Sequence, residues 1–534
     1  MSVILLAIPT LFIGFISYYL WIWTYWRRRG IPGPLGYPLV GSFPKTLKSE
    51  YPQYLQIRDW TKLYGPIYGY TEGTIKTLIV SDIDIVRQIF VEQYDNFYGR
   101  KLNPIQGDPE KDERTNLFSA QGFRWKRLRA ISSPTFSNNS LRKINVTVED
   151  SAMELLRHIE EQTSEGQQID MLQFYQEFTM DTIGRIAMGQ TDSQMFKNPL
   201  LKFVRAIFGD NRKHIPLIGG VFPTLAQVFR FFMLKFPLLG AANFIHVNKT
   251  VVTAVQNRID QRENDRKNGI EIGEPQDFID LFLEARADDV EHFQENNGDF
   301  SKTSSYVSFR RKIIPEFKKL QGNRQLTTQE IVGQCLVFLI AGFDTTALSL
   351  SYTTFLLATH PEVQKKLQEE IERECIEPSI SFDHLSKLKY MDCIIKETLR
   401  LYPLGTMANS RRCMRATKLG NVEVEVGTMV QVDTWSLHTD TKIWGDDAKE
   451  FKPERWLDPN CDQVFQKGGY ISFGLGPRQC VGMRLAYMEE KMLLAHILRK
   501  YTFEVGTKTE IPLKLVGRAT TQPETVWMHL KQRI

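Results

Sequence analysis

The segment FGLGPRQCVG, Phe473 to Gly482, gathers residue types that serve one chemistry. Gly474, Gly476 and Gly482 allow tight turns and close approach of the backbone to a flat ligand. They also leave backbone N–H groups free to point at the sulfur of Cys480. Such donors, with the N-terminus of a helix opening near Val481, stabilise a thiolate. Arg478, two residues before the sulfur, is spaced to meet a carboxylate. A flat, carboxylate-bearing ligand held through one thiolate is haem. The other cysteines, Cys335, Cys375, Cys393, Cys413 and Cys461, are widely spaced and form no CxxC pair. This pattern predicts reduced thiols and no structural zinc.

Further clusters carry charge or hydroxyls where a core is expected. ETLR places Glu397 and Arg400 three residues apart, on one helical face. PERW, Pro453 to Trp456, adds Arg455. AGFDTT, Ala341 to Thr346, sets Asp344 and Thr345 inside an apolar helical run. A buried acid and hydroxyl cost stability unless they are used, and an acid-linked hydroxyl can deliver protons. Gly342 in the same motif is read as allowing a cofactor or oxygen to approach the backbone. WKRLR puts Trp125 and Arg129 at i,i+4 on one face.

These segments together resemble the cytochrome P450 family, with every fixed position of its cysteine signature present, Phe473 included. The runs WKRLRAISSPTFS, DFIDLFLEAR and IPLKLVGRATTQPE are most similar to the microsomal, drug-metabolising, family-3-like animal enzymes. The resemblance covers residues from about 32 to 530 and implies a P450 fold with haem b. It implies Cys480 as the axial iron ligand, with Arg100, Trp125, Arg129, Arg411 and Arg478 toward the haem propionates. Glu397, Arg400 and Arg455 are implied as a buried structural triad, and Asp344 and Thr345 as the proton-delivering pair. Phe338, Ala341, Leu404, Thr406 and Met407 are the implied pocket residues, with Gly517 to Thr520 beside them and the Phe-rich stretch Phe203 to Phe236 as roof.

The implied activity is monooxygenation: one atom of O2 enters an apolar small molecule. NADPH–cytochrome P450 reductase supplies the electrons, and cytochrome b5 is admitted as a second donor. The reductase is expected to dock on a basic face including Lys126, Arg127, Lys452 and Lys467. The alternatives are a P450-fold isomerase or dehydratase acting on peroxides without reductase, and a non-catalytic haem protein that carries or senses an apolar ligand.

The elements that position these residues are legible in outline. The chain has 534 residues, 42% hydrophobic and 24% charged, which excludes a disordered or disulfide-stapled chain. With 67 basic and 62 acidic residues its net charge of +5 does not point to nucleic acid. Val3 to Trp26 is uncharged and is followed by Arg27, Arg28 and Arg29. At about 36 Å as a helix it predicts a transmembrane anchor over residues 1–26. The flanking charge predicts a single pass with the body on the cytoplasmic side, and the microsomal resemblance implies the endoplasmic reticulum membrane. A basic, proline-rich hinge over 27–44 and a catalytic domain over 45–534 follow. Thr327 to Glu330 is a capping box opening a helix that runs to about Thr359, apolar on all faces and therefore central. Helices are also expected over Met171–Ile186 and Met483–Tyr501, a hairpin over Tyr68–Val80, strands within Asn421–Val432 and an exposed loop at Asp288–Ser305. The fold class is mainly α with small β-sheets.

Overall fold

The computed structural model describes residues 2–48, 51–163, 167–209, 214–236, 241–271, 273–275, 277–284, 326–518 and 520–533. The loop expected at Asp288–Ser305 lies outside them. Helices dominate and the sheets are small. At the centre runs the helix Thr328–Thr359, 32 residues long and buried along most of its length. Its start is set locally: Thr327 Oγ1 accepts from the Glu330 N–H at 3.2 Å, and Glu330 Oε2 accepts from the Thr327 N–H at 3.1 Å. Its end is set by Pro361, which opens the next helix, Pro361–Glu374.

The helix Met171–Met188 packs along this central helix. Gly342 is what lets them approach, because a Cβ there would sit 2.9 Å from Ile183 Cδ1. The glycine expected to admit a cofactor or oxygen thus faces a neighbouring helix. Thr179 Oγ1 also donates to the Phe343 carbonyl at 2.7 Å.

The largest sheet joins distant parts of the chain. Ile67–Glu72 and Ile75–Val80 form the expected hairpin. Ile75–Val80 pairs in parallel with Met429–Val432, which pairs antiparallel with Ser410–Arg412. Arg411 is thereby carried on a strand end. Near the C-terminus, Leu515–Val516 pairs with Gln522–Pro523 in a short hairpin.

The expected N-terminal anchor is not upheld. Among the described residues one helix is long and apolar enough to cross a membrane, and it is the central helix Thr328–Thr359, mostly buried in protein. In the N-terminal helix Ser2–Trp23 the apolar stretch whose side chains the structure describes is Pro9–Trp23. The C-terminal end of the run packs on protein, with Tyr19, Ile22, Tyr25 and Trp26 buried against the body, while Leu11, Phe12 and Ile13 are exposed. Tyr19 OH donates to the Val221 carbonyl, and Trp26 Nε1 to the Tyr70 carbonyl at 2.9 Å. Tyr19, Ile22, Tyr25 and Trp26 all lie within the uncharged run Val3 to Trp26 from which the anchor was expected. With the span goes the single-pass placement in the endoplasmic reticulum membrane inferred from it. The segment expected as a hinge is irregular and runs along the first strand: the Gly69 N–H donates to Pro32 at 2.9 Å and the Ser42 N–H to Thr71 at 2.7 Å.

The helix Met483–Lys500, which follows the cysteine loop, is tied to the central helix by buried carboxyls. Ser349 Oγ lies 2.9 Å from both oxygens of Glu490, and Thr353 Oγ1 lies 3.0 Å from Oε1. Burial pushes Glu489 and Glu490 up from the ordinary 4.5 to about 8, against the pull of hydroxyls from Thr346, Ser349 and Thr353. The folded state therefore holds protons that the unfolded chain releases near 4.5. The stability this confers is full below that pH and is lost as pH rises toward 8. Glu489→Gln and Glu490→Gln, which cannot ionise, are expected to flatten the decline of the thermal midpoint between about pH 5 and pH 8. Melting curves across that range check it, and a slope unchanged from wild type would be the contrary result.

Candidate active site

The cysteine loop begins at Ile471, whose carbonyl accepts from the Gly474 N–H at 2.8 Å. Two of its glycines are required by geometry. Gly474 has φ +78° and Gly476 φ +69°, and a Cβ at Gly476 would meet the Phe90 carbonyl oxygen at 2.1 Å. Gly482 is not of this kind, since its Cβ would lie in ordinary contact with Phe136. The Cys480 N–H donates to Phe473 O at 2.8 Å, closing the loop on the half-buried Phe473 ring. Cys480 is the exposed cysteine, whereas Cys335, Cys375, Cys393 and Cys413 are buried and Cys461 is half-buried. Its concave surroundings still desolvate the sulfur and push the thiol up. The Gly482 and Met483 N–H groups and the charges of Arg129 and Arg100 pull it down.

Three guanidiniums are buried nearby: Arg100, Arg411 and Arg478. Arg411 Nη1 donates to the Ser410 carbonyl at 2.8 Å, Arg478 to the Ala120 carbonyl and Arg100 to the Ala408 carbonyl. Arg411 lies over the Phe90 ring at 4.2 Å and Arg478 over the Trp125 ring at 4.7 Å. The Nε of each of the three is buried without a partner. No carboxylate pairs with any of them among the described residues. Burial and mutual repulsion hold Arg100 well below the usual guanidinium range and Arg411 down to about 9, and burial lowers Arg478. Such a set is costly to bury without an anion beside it. Two carboxylates on a flat ring, with a thiolate below, meet that demand, so these residues fit haem.

Glu397 stands behind the loop. Arg400 grips it with Nε at 2.9 Å and Nη2 at 2.8 Å, and Arg455 Nε reaches it at 3.0 Å. The remaining N–H groups of Arg400 go to the carbonyls of His438, Ala448 and Glu450. The expected triad is thus assembled, and Trp456 Nε1 adds a further bond to Glu397 at 2.9 Å. Sequence reasoning missed His438. Its Nδ1 lies 3.2 Å from the Arg400 carbonyl, and its Nε2 accepts from the Ile471 N–H at 2.9 Å. Burial and Arg400 push it down to about 3, so it is neutral with the proton on Nδ1. The ring therefore ties the triad to the first residue of the cysteine loop. A lone His in WSLHTD carries no local sign of this.

The central helix has an accessible stripe: Val337, Ile340, Ala341 and Thr345 are exposed or half-buried on an otherwise buried element. Thr345 Oγ1 donates to the Ala341 carbonyl at 2.7 Å. Phe338, expected in the pocket, packs instead in an aromatic core with Phe136 at 5.2 Å, Phe278 at 5.9 Å and Phe282 at 5.8 Å. Val337 and Ile340 take the accessible positions. Asp344 does not meet Thr345; it is buried against the C-terminal hairpin. Leu404 and Thr406 are buried, and Met407 is half-buried with its sulfur 3.8 Å from Gln431 Nε2. Two of the cations expected at a docking face are engaged. Arg127 pairs with the buried Glu330, and Lys452 with Asp447 at 2.8 Å.

Over residues 31–306 and 293–527 the chain matches the family described as Cytochrome P450. The chain belongs to the cytochrome P450 family. It is 97% identical over 534 residues, the whole of both chains, to cytochrome P450 CYP13A10 of Caenorhabditis elegans. It is 67% identical over 524 residues to CYP13A1 and 56% over 525 to CYP13A2 of the same nematode, covering 98% of each chain. The likeness thus centres on nematode CYP13A proteins rather than on family-3 drug-metabolising enzymes. As a P450 the protein uses haem b and is a haem-thiolate monooxygenase, with a reductase partner and an apolar substrate.

The buried guanidiniums make a crossed prediction. Arg411→Leu removes a self-repelling charge from the haem-free protein and an attractive one from the loaded protein. The thermal midpoint of the haem-free form is expected to rise. Haem transfer to an acceptor globin is expected to speed up by roughly 10²-fold, a loss of about 3 kcal/mol. A fall in both stabilities would mean that Arg411 acts only through packing.

Proposed function

We propose that Cys480 would supply the thiolate that holds the haem iron of this monooxygenase. Arg100, Trp125, Arg129, Arg411 and Arg478 would hold the haem propionates, while Asp344 and Thr345 would manage the proton. The observation that supports the reading best is the cluster of buried guanidiniums without acid partners beside the one exposed cysteine. When bound, the haem supplies the reductive splitting of O2 and the transfer of one oxygen atom to substrate.

The chain's own residues do the rest. The N–H groups of Gly482 and Met483 favour charge on the sulfur against the cost of its burial. The Thr345 hydroxyl donates to Ala341 and keeps its lone pairs free to accept a proton on the accessible side of the helix. Asp344, with its carboxyl near 6, holds or releases a proton at working pH. The apolar side chains of Ala341, Leu404 and Met407 favour an apolar substrate. A broad substrate range like that of family-3 enzymes, and cytochrome b5 as second electron donor, complete the reading.

The test uses the holoenzyme with reductase and NADPH. Cys480→Ala is expected to lose the thiolate-shifted band of the reduced CO complex; a normal band would remove Cys480 as ligand. Thr345→Ala is expected to bind haem and substrate normally and to form about tenfold less product per NADPH consumed. Unchanged coupling would take Thr345 out of proton delivery.

A further inference from the structure

Asp344 and Thr345 are neighbours in sequence, yet they serve different sides of the central helix. Successive residues on a helix point about 100° apart. Thr345 keeps to the accessible stripe, and Asp344 enters the protein, where it is wholly buried. Its Oδ2 accepts from Thr520 Oγ1 at 2.6 Å and from Gln522 Nε2 at 3.0 Å, and Gln522 Nε2 lies 3.0 Å from Thr520 Oγ1. Its Oδ1 is buried without a partner.

Both donors come from the C-terminal hairpin, in which Gln522 pairs with Val516. The hairpin is held on its far side as well. The Thr521 N–H donates to Leu404 O at 3.2 Å, Thr521 Oγ1 to Pro403 O at 2.7 Å, and Tyr54 OH to Val516 O at 2.8 Å. One element therefore grips the acid of the central helix and backs Leu404, a residue read as pocket wall.

We propose that Thr520 and Gln522 are positioning residues for Asp344, holding its carboxyl on the hairpin side and setting the pH at which it ionises. The proposal rests on the proton-handling role given to Asp344 above. The chemistry is direct: both groups donate to the ionised oxygen, so both favour the charged form against the cost of burial. The environment offers little else to do so. The helix Met171–Met188 contributes Gln176, a third neutral donor that pulls Asp344 down less than the hairpin pair, its amide oxygen accepting from Arg205 Nε at 2.7 Å. The central helix contributes Tyr352, whose own ionisation Asp344 opposes. No cation bonds the carboxyl among the described residues. The burial that raises Asp344 to about 6 is thus opposed mainly by two neutral donors from one hairpin.

The experiment follows the Asp344 carboxyl by infrared pH-difference spectroscopy of the holoenzyme, with Asp344→Asn identifying its band. Thr520→Val and Gln522→Leu are each expected to raise the midpoint by about one pH unit, a tenfold change in proton affinity. Thr520→Ser, which restores the hydroxyl, should return it. The pH profile of product formed per NADPH should move with the band. If the band midpoint stays at the wild-type value in both donor-deleting variants, the positioning role is wrong, whatever happens to thermal stability. If the midpoint moves and the coupling profile does not, the positioning role stands and the proton-handling role of Asp344 falls. A protein too unstable to measure as Thr520→Val is replaced by Gln522→Leu, which carries the same expectation.

Discussion

The structure is organised around one carboxylate that has no contact with water. Glu397 lies fully buried with two guanidiniums, an indole N–H and the backbone N–H of Lys452 converging on it. Burying such a charge is costly unless every donor around it is also satisfied. The surplus N–H groups of Arg400 and Arg455 therefore claim carbonyls from His438, Trp444, Asp447, Ala448 and Glu450. An irregular stretch of chain is thus folded by the needs of three side chains. Apolar residues of similar volume would cement a core as well, but they would not dictate which carbonyls face inward.

That stretch is what orients the cysteine loop. His438 hands the order on: it bonds Arg400 with one nitrogen and Ile471 with the other, and its ring stacks on Tyr470 at 5.3 Å. Asn409 Nδ2 adds a second hold on the Ile471 carbonyl at 3.1 Å. On the opposite flank the packing is electrostatically incomplete by design of composition, because Arg100, Arg411 and Arg478 repel one another. A dianionic ligand relieves that repulsion, so cofactor binding and stability of this region are linked by mass action.

Acids elsewhere in the core are handled in a different way. Glu489, Glu490 and Asp344 have hydroxyl and amide partners instead of cations, and burial raises all three. Asp344 near 6 and the two glutamates near 8 exchange protons close to neutral pH, whereas Glu397 is clamped between cations. The same residue type thus acts as an anchor or as a proton store, according to whether its neighbours carry charge.

Several features were legible in the sequence because their causes are local. The capping box at Thr327 and Glu330, the proline after His360, the hairpin over Tyr68–Val80 and the turns of the cysteine loop each depend on a few adjacent residues. The triad was expected through resemblance, and Glu397, Arg400 and Arg455 meet in the fold. Other features turned on partners distant in the chain. An uncharged run reads alike whether lipid or protein covers it, and only packing showed that Tyr19, Ile22, Tyr25 and Trp26 lie against the body. Arg127 looked like a free surface cation until Glu330, far along the sequence, was found beside it. A shift of one residue on the central helix decided that Val337 is accessible and Phe338 is core. Asp344 and Thr345 were paired by adjacency, but adjacency on a helix sends side chains in different directions, and the partners of Asp344 lie 176 and 178 residues away. Residue type and short spacing determine which chemistry is available; which groups meet is decided by burial and long-range contact, terms that no local stretch of sequence contains.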